Sequence, residues 1–385
     1  MIRIFLAFLL AAVFALASTP ARRAQDKPQI DRRGPEKCGT RIPKGQREVE
    51  RRRLEKAAIA APGALDPPTD APYYLPLSIH IVRASDGSGG LAEADLYASI
   101  ANLNRLWQPM GVQFFIYGSI DYINNDGWVM VPDVQTTQDA LRQVNAVANT
   151  INVYFTTLQN LNGQASFTGD TFQGILMNQN ICTLATAPAS ANFATFAHEM
   201  GHFLDLYHTH EDWRDSMNQP TAIECPSGNN CTTNGDLVCD TAADPNLAGL
   251  VNAACEYNNS AMTPASCDNT PYNPPTRNLM SYSTSECRTE FTPGQIQRAL
   301  RTLRETANRR VLITKGARYV DPLASRTNAD CSYNFPCHTV AKAVGLALNG
   351  DFIFIKPGAN PASYLGGKSV ILNRWGTEGA VQLQR

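Results

Sequence analysis

Three histidines and one glutamate lie close together in this sequence, at a spacing that suits a zinc ion. His198 and His202 are four residues apart, so on a helix they project from one face and can each offer a ring nitrogen to the same metal. Glu199 is placed to take a proton from a water on that metal and to pass it to a leaving amine. These residue types predict a hydrolytic zinc centre with Glu199 as general base.

A third protein ligand has to come from beyond this helix. His208 lies six residues after His202, too far along a straight helix to reach the same ion, so the chain must turn between them, and Asp205 marks that turn. His210 and the more distant Glu224 are the alternative third ligands. We predict His208, because it has the spacing found in zinc hydrolases of this pattern.

Two stretches of the chain resemble a known clan of peptidases. The segment from His198 to His208 resembles the metzincin signature HExxHxxGxxH, and Asn278-Leu279-Met280-Ser281-Tyr282 resembles its Met-turn. Within that clan the chain is most similar to the pappalysin-like (cytophagalysin, M43-type) group, through HFLDLYHTH, GDLVCDTAADP, NLMSYSTSECRTEFTPGQ and LPLSIHIVR. The resemblance covers residues 73–306 and implies a secreted zinc endopeptidase, made as a latent precursor, with an α+β catalytic domain.

The resemblance also implies roles for single residues. Met280 would form an apolar floor beneath the zinc-binding imidazoles, and Tyr282 would stabilise the oxyanion, the alternative being a buried structural tyrosine. Asp205 stands where the family usually has glycine, at a position that often needs positive φ, which aspartate tolerates at a cost of about 1 kcal/mol. Cys38 resembles a cysteine switch whose thiolate blocks zinc, although a leftover or disulfide-bonded cysteine is the alternative.

The amino-terminal part of the chain reads as targeting and processing sequence. Residues 1–17 form an apolar run after Arg3, typical of a signal peptide, and the run is too short to span a bilayer. Residues 18–70 are rich in Arg, Lys, Pro and Glu and are predicted to be a pro-segment, in which residues 46–56 form either an exposed charged helix or the solvated face of a linker. A net charge of -1 favours neither nucleic acid nor an anionic membrane as a partner.

The predicted catalytic domain, residues 71–312, alternates strand and helix patterns. This order indicates an α+β fold in which a mixed, twisted sheet is backed by helices. Thr292-Pro293-Gly294-Gln295 is a capping-box start for a helix that runs to Glu305. The predicted strands are residues 75–82, 112–116, 151–155 and 174–177, and the predicted helices are residues 91–107 and 189–204, the latter carrying the zinc ligands.

Residues 318–385 form a separate, β-rich module in this interpretation. Short strands over residues 351–355, 369–372 and 380–383 follow a helix over residues 338–348 and are separated by Gly and Pro. The segment resembles the start of a right-handed parallel β-helix.

Ten cysteines in an exported chain indicate disulfides. By resemblance to the family, Cys239 would pair with Cys267 and Cys255 with Cys287. We also expect disulfides between two pairs of cysteines that are close in sequence, Cys331–Cys337 and Cys225–Cys231. Cys182 is not assigned a partner. Sequence alone does not fix connectivity.

Three further sets of residues carry weaker predictions. Asp240, Thr241 and Asp244 offer oxygen ligands that suit calcium, as in relatives, or simple turn chemistry. Glu286 lies six residues after Met280 on the segment that in metzincins walls the S1′ pocket, and there it would favour Arg or Lys after the scissile bond, unless it merely faces water. His80 is expected to be a core histidine.

The predicted function is therefore peptide-bond hydrolysis by an exported zinc enzyme, acting on protein or peptide substrates as a monomer. The substrate is expected to add as a strand beside residues 174–177. A secreted adhesion or glycan-binding protein with a degenerate peptidase domain is the alternative, and the intact Glu199 argues against it. Amide hydrolysis on something other than protein is a third reading.

Overall fold

The computed structural model describes residues 38–57, 72–182, 194–211, 223–259, 267, 269–313, 315–324, 329–332, 335–349, 351–361, 367–374 and 381–384. All of them fall in one compact unit, Asp31–Arg385. The predicted signal peptide lies outside the described residues, as do residues 18–37 and 58–70 of the predicted pro-segment. Within the described part, no helix is both long enough and apolar enough to cross a membrane.

A seven-stranded sheet forms the base of the main body, which we define as residues 72–313. Its strands are β1 (Tyr73–Arg83), β2 (Val112–Ile116), β3 (Asp121–Asn124), β4 (Met130–Val131), β5 (Ile151–Leu158), β6 (Gly163–Ala165) and β7 (Ile175–Asn178). The order is β2-β1-β5-β7-β6, with β3 also paired to β1 and β4 to β5. All these pairs are parallel except β6 with β7.

The edge strand of the cleft is β6, and our prediction that residues 174–177 form it is wrong. β7, which covers most of those residues, lies between β5 and β6 and is paired on both sides. The sequence gives little sign of β6, because three residues reading Gly-Gln-Ala have neither the length nor the β-branched side chains of a typical strand.

Helices cover the sheet and enclose the core, which confirms the predicted α+β architecture. They are α1 (Gln46–Ala57), α2 (Glu93–Trp107), α3 (Gln135–Leu141), α4 (Ala194–Phe203), α5 (Pro293–Glu305) and α6 (Ala307–Arg310). Trp107 of α2 is fully buried, and its indole nitrogen donates to the carbonyl of Ala197 in α4 at 3.3 Å. His80 lies in the same interior, bonded to Asp121 and Asn152, as expected of a core histidine.

The capping box predicted at Thr292 is present. The Thr292 hydroxyl accepts from the backbone of Gln295, and the Gln295 side chain accepts from the backbone of Thr292. Pro293 opens α5, so the helix begins where the sequence indicates. For α4, residues 189–193 of the predicted helix lie outside the described residues.

The carboxyl-terminal residues form short parallel strands. β8 (Ala317–Val320), β9 (Phe352–Ile355) and β11 (Ile371–Arg374) make one sheet, and β10 (Gly358–Pro361) pairs with β12 (Val381–Gln384). The helix α7 (Val340–Leu346) joins β8 to β9, and Phe354 stacks on Tyr74 of the main body at 3.9 Å between ring centroids. Parallel pairing between successive turns of chain agrees with the β-helix resemblance, which stays a prediction.

Four disulfides are present, and two of the predicted pairings are wrong. Cys255–Cys287 and Cys331–Cys337 form as expected. Cys239 pairs with Cys231 instead of Cys267, and Cys225 pairs with Cys267 instead of Cys231. The chain turns back at Gly235, where φ is 64°, and this brings Cys231 beside Cys239. Cys182 is buried outside the disulfides, and burial raises the pKa of its thiol to about 12.

The predicted charged helix is found as α1, but it is docked on the main body. Its outer face is exposed at Arg51 and Arg52, whereas Glu50 on its inner face has no solvent exposure. A glutamate is rarely buried unless it is paired. The prediction of a solvated helix is therefore wrong for that face.

Candidate metal centre and cleft

The helix α4 presents three site residues to one side of the core. His198, Glu199 and His202 are all without solvent exposure. The close approach of Gly201 to Met280 explains a glycine inside this helix, since a Cβ there would lie 2.4 Å from the Met280 sulfur. His198 and His202 thus lie four residues apart on one helix, as predicted, and this spacing directs both imidazoles to one point.

The turn after α4 is made by Asp205, which has φ of 62°. This left-handed conformation closes the helix through a bond from the Leu206 nitrogen to the Gly201 carbonyl at 2.9 Å. The Asp205 carboxylate accepts from the backbone nitrogen of Thr168 at 2.9 Å and from its hydroxyl at 2.7 Å. The aspartate therefore both makes the turn and ties it to the loop that follows β6.

After this turn, His208 comes back to the other two histidines. The Nε2 atom of His202 lies 3.1 Å from that of His198 and 3.0 Å from that of His208. Tetrahedral zinc with Zn–N bonds of about 2.0–2.1 Å needs its nitrogen ligands roughly 3.3 Å apart. Together with the Cys38 sulfur, these atoms lie within 4.8 Å of one another, and the donor set fits zinc.

Each imidazole is fixed through its other nitrogen. The Nδ1 atoms of His198 and His202 lie 2.7 Å from the carbonyl oxygens of Leu279 and Leu206, and that of His208 lies 3.2 Å from a carboxylate oxygen of Glu211. Donation from Nδ1 leaves Nε2 available to a metal. Sequence reasoning missed Glu211, although an acid three residues after His208 was a usable signal.

Burial favours the neutral, metal-binding form of the histidines. Burial, and then the neighbouring imidazoles, lower the pKa of His198 well below its ordinary range, and the same holds for His202. For Glu211, burial is the largest cause and would raise the pKa of the carboxyl, but the hydrogen bonds and charge of His208 together with the charge of Arg47 outweigh burial, and the pKa is lowered. An ionised Glu211 beside His208 suits a metal ligand.

Met280 lies beneath the histidines, where the Met-turn resemblance predicts it. Its side chain is fully buried, and its backbone nitrogen donates to the Asn278 side chain at 2.8 Å. The amide of Asn278 in turn donates to Gln295 of the capping box at 2.8 Å. The start of α5 and the Met-turn are thus one hydrogen-bonded unit.

Tyr282 faces the same centre. Its ring lies 4.9 Å from that of His208 and 4.2 Å from that of His210. Its hydroxyl donates to the carbonyl oxygen of Cys38 at 3.4 Å. His210 thus packs on the tyrosine. It is not among the clustered residues Cys38, His198, His202 and His208, so it is not the third metal ligand.

The cleft is filled by residues 38–40. The backbone nitrogen of Gly39 donates to the carbonyl of Gly163 in β6 at 2.9 Å, and Cys38 pairs with Gly163 in the parallel sense. The Thr40 hydroxyl accepts from the Ala165 nitrogen at 2.8 Å. This stretch extends the sheet at its edge and passes directly over the metal centre.

Two side chains of this strand contact Glu199. The Thr40 hydroxyl donates to a carboxylate oxygen of Glu199 at 3.0 Å, and the Cys38 sulfur lies 3.6 Å from the same oxygen. Across the cleft, Gly163 has no room for a side chain, because a Cβ would lie 2.6 Å from the Glu199 side chain. Thr40 is a contact that sequence reasoning missed.

The remaining candidate ligands lie elsewhere. Glu224 packs against Gly235, away from the histidines, and burial and then Asp236 raise the pKa of its carboxyl to about 9. Asp240 accepts at the start of α5 from Thr292 and Gly294, each at 2.7 Å, while Asp244 accepts from Thr209. Among the described residues, Asp240, Thr241 and Asp244 do not converge into one ligand group, because Asp240 is used in capping.

Glu286 is exposed to solvent. The adjoining Cys287 is buried and bridged to Cys255, as expected of a fixed wall. The Glu286 carboxylate therefore faces water, which is the alternative left open from the sequence.

Comparison with known proteins agrees with this site. Residues 163–304, which include β6, α4 and the Met-turn, match the Peptidase_M43 family model, described as pregnancy-associated plasma protein-A. An extracellular metalloprotease of Neurospora crassa is 28% identical over 75% of this chain and 92% of its own, and one of Pyricularia oryzae is 29% identical over 63% and 78%. Tannerella forsythia mature mirolysin in complex with a cleaved peptide is 18% identical, covering 64% of this chain and 97% of its own with a TM-score of 0.45. Residues 163–304, the part of the chain that carries the histidines and the Met-turn, are thus similar to the M43 (pappalysin-like) metzincins, and the chain is a zinc metalloendopeptidase.

Proposed function

We propose that the chain is exported and hydrolyses peptide bonds of extracellular proteins, with Glu199 as general base and His198, His202 and His208 as zinc ligands. The supporting observation is that three buried Nε2 atoms converge beside one buried carboxylate. Zinc, when bound, supplies a Lewis acid that acidifies water and polarises the scissile carbonyl. Relatives named as extracellular metalloproteases support the location, and we expect a monomer.

The groups of this chain then divide the reaction between them. Glu199 takes the proton of the attacking water on its carboxylate and later gives it to the leaving amine. Tyr282 donates a hydrogen bond to the oxyanion, a role supported by its present bond to the carbonyl oxygen of Cys38. Substrate binds as a strand on the open edge of β6, the edge that residues 38–40 occupy in the precursor.

The same proposal assigns Cys38 as a cysteine switch. Its sulfur lies within 4.8 Å of the ring nitrogens of His198, His202 and His208, so a thiolate there would serve as the fourth zinc ligand and would leave no position for water. Thr40 adds to the block, because its hydroxyl donates to the carboxylate that would act as base. Residues 38–40, which run parallel to β6, are therefore held beside the catalytic groups, but none of their peptide bonds is presented for hydrolysis.

Specificity for Arg or Lys after the scissile bond is a further part of the proposal, assigned to Glu286. Because its carboxylate is exposed, attraction to a basic side chain is screened, and we expect a preference of only a few fold. The Glu286→Ala variant should lose that preference with an unchanged cleavage rate on neutral peptides. Equal cleavage profiles of the two enzymes on a peptide library would remove Glu286 from the pocket.

We also propose calcium in the loop predicted from Asp240, Thr241 and Asp244, with Asp244 as a ligand and with Glu224 and Asp236, instead of Asp240, as its acidic neighbours. The support is chemical: burial is the largest cause that raises the pKa of Asp236 and Asp244, each to about 7. One oxygen each of Glu224, Asp236 and Asp244 has no hydrogen-bond partner in the described part of the chain. A hard cation would satisfy such oxygens. Calcium should raise the melting temperature of the wild type more than that of Asp244→Asn, and equal shifts would contradict the proposal.

The central test compares Glu199→Gln with Glu256→Gln, an exposed control. We expect Glu199→Gln to lose at least about 100-fold in peptide hydrolysis while it retains one zinc per chain, because only the base is removed. The control should keep full activity. Activity of Glu199→Gln above about one per cent of wild type would refute its role as base. Absence of hydrolysis by the wild type on any peptide would favour the adhesion alternative.

A further inference from the structure

The helix α1 is attached to the main body through buried charges. Glu50, which is without exposure, lies 2.7 Å from Arg301 and 3.3 Å from Arg298, both on α5. Arg298 is itself fully buried and stacks over the Tyr207 ring at 4.0 Å. Two buried guanidinium groups on α5 thus share one carboxylate supplied by α1.

A second charge on α1 reaches the turn of the metal site. Arg53 lies 3.1 Å from the Asp205 carboxylate, on the residue that replaces the family's glycine. Arg47, the second residue of α1, donates to the carbonyl oxygen of Gly235 at 3.1 Å. The turn that brings His208 to the metal is therefore supported from outside by α1.

Apolar contacts cover the surface between these charges. Ile42 and Leu54 pack on a cluster formed by Phe167, Tyr207 and Leu237, each of which is almost completely buried. The Phe167 ring meets the zinc-ligand ring of His202 edge-on, with the centroids 5.6 Å apart. Without α1, an apolar surface next to the metal centre would face water.

These contacts separate α1 from the part of the precursor that fills the cleft. The helix α1 contacts α5, Tyr207 and the turn at Asp205. Cys38 and Thr40 instead contact the metal centre and Glu199. Between the two lies a short turn, residues 41–45, in which Arg41, Lys44 and Gly45 are exposed. Proteolysis needs an accessible segment outside regular structure, which this turn offers at Arg41, Lys44 and Gly45 and the packed helix does not.

We propose that activation hydrolyses one peptide bond within residues 41–45, and that α1 then remains as a permanent part of the active enzyme. This inference rests on the proposed function, since it assigns the blocking role to residues 38–40. One water is consumed, a new carboxylate ends the departing piece, and a new amine begins the enzyme. The piece with Cys38 leaves the cleft, while α1 continues to pair with Arg298, Arg301 and Asp205.

The inference changes the boundary drawn from the sequence. Residues 18–70 were predicted to be one pro-segment, because their composition cannot form a core of its own. The structure divides them by what they contact. Residues up to the turn inhibit, and α1 supplies a buried carboxylate that the catalytic domain lacks at that place.

Limited trypsin digestion of the full precursor separates the two possibilities. Residues 57–72 contain neither Lys nor Arg, so trypsin either cuts after Arg41 or Lys44 and keeps α1, or cuts within or after the helix and removes it. We expect activity to rise with a species whose mass begins at Ile42 or Gly45. Activity that appears only with species beginning at residue 57 or later would overturn the inference. The double variant Arg41→Gln/Lys44→Gln should activate slowly, and the control Arg51→Gln/Arg52→Gln normally.

A second measurement asks whether the activated enzyme needs the contact. After activation, Glu50→Gln should melt several degrees below wild type and should lose zinc faster to a chelator. Glu48→Gln is the matched control, because Glu48 lies on the same helix but pairs only with exposed Arg51 and Arg52. Activated Glu50→Gln with the melting temperature and zinc loss of wild type would overturn the inference, even if the precursor is weakened.

Failure of the proposed function gives a different result. If the chain is not a peptidase, every form lacks hydrolysis, yet masses and melting temperatures still report whether α1 stays bound. If only the inference fails, peptide hydrolysis is present in a form that has lost α1. The mass of the active wild type decides this without any variant, so poor folding of Glu50→Gln does not affect the test.

Discussion

Replacing Asp205 by glycine tests whether the departure from the family pattern strengthens this site. Glycine adopts a φ of 62° without strain, so Asp205→Gly should gain up to about 1 kcal/mol of folding free energy from the relief of backbone strain. It loses two hydrogen bonds from Thr168 to a buried carboxylate, each of which contributes roughly 1.5–3 kcal/mol. The partly exposed pair with Arg53 adds less than about 1 kcal/mol. The net loss of folding free energy should be about 2–7 kcal/mol.

Urea unfolding of the latent precursor, followed by tryptophan fluorescence, measures this loss, and Asp205→Ala should cost about 1 kcal/mol more because it keeps the strain. Zinc release to a coloured chelator is the second readout, since the turn sets the position of His208. Combining Asp205→Asn with Arg53→Gln in a double-mutant cycle isolates their coupling. An Asp205→Gly precursor as stable as wild type would refute the reasoning, because it would mean that the carboxylate contributes nothing.

Three further predictions concern the metal centre and the buried acids. Cys38→Ala should yield a precursor that hydrolyses peptides earlier than wild type, measured on a fluorogenic peptide during expression, and equal latency would leave Thr40 and the strand as the main block. Glu211→Gln should weaken zinc binding roughly 10–100-fold, measured by competition with a chelator, because the Nδ1 partner of His208 loses its charge; unchanged affinity would contradict that role. In calcium-free buffer, the free energy of unfolding should fall between pH 5 and 9, because the folded protein raises the pKa of Asp244 to about 7 and that of Glu224 to about 9, so it holds protons that the unfolded chain has released. A flat profile by urea unfolding at each pH would show that these carboxyls are not buried in solution.

The convergence of the three histidines could be predicted because their geometry is local. Helix spacing alone aligns His198 with His202, and one turn at Asp205 returns His208. The start of α5 was equally readable, since the capping box at Thr292 uses only neighbouring residues. In both places the chemistry lies within about ten residues.

Features that depend on contacts between residues far apart in the sequence were harder to predict. The pairing of Cys225 with Cys267 follows from where loops come to lie, and the sequence between them does not encode it. The edge strand β6 exists because Gly163 must pass beside Glu199, a contact across 36 residues. Glu50 looked like one more charge on a solvated helix, and only α5 reveals its partners.

The two cysteines outside the four disulfides bear on how the chain matures in an oxidising compartment. Cys182 is protected from oxidants by complete burial and by a thiol that stays protonated. Cys38 is only partly buried, and its sulfur lies among three imidazoles. An ion seated there would hold the sulfur away from the eight cysteines that must find one another. A metal held at this site would thus keep the Cys38 thiol out of disulfide exchange while the four disulfides form.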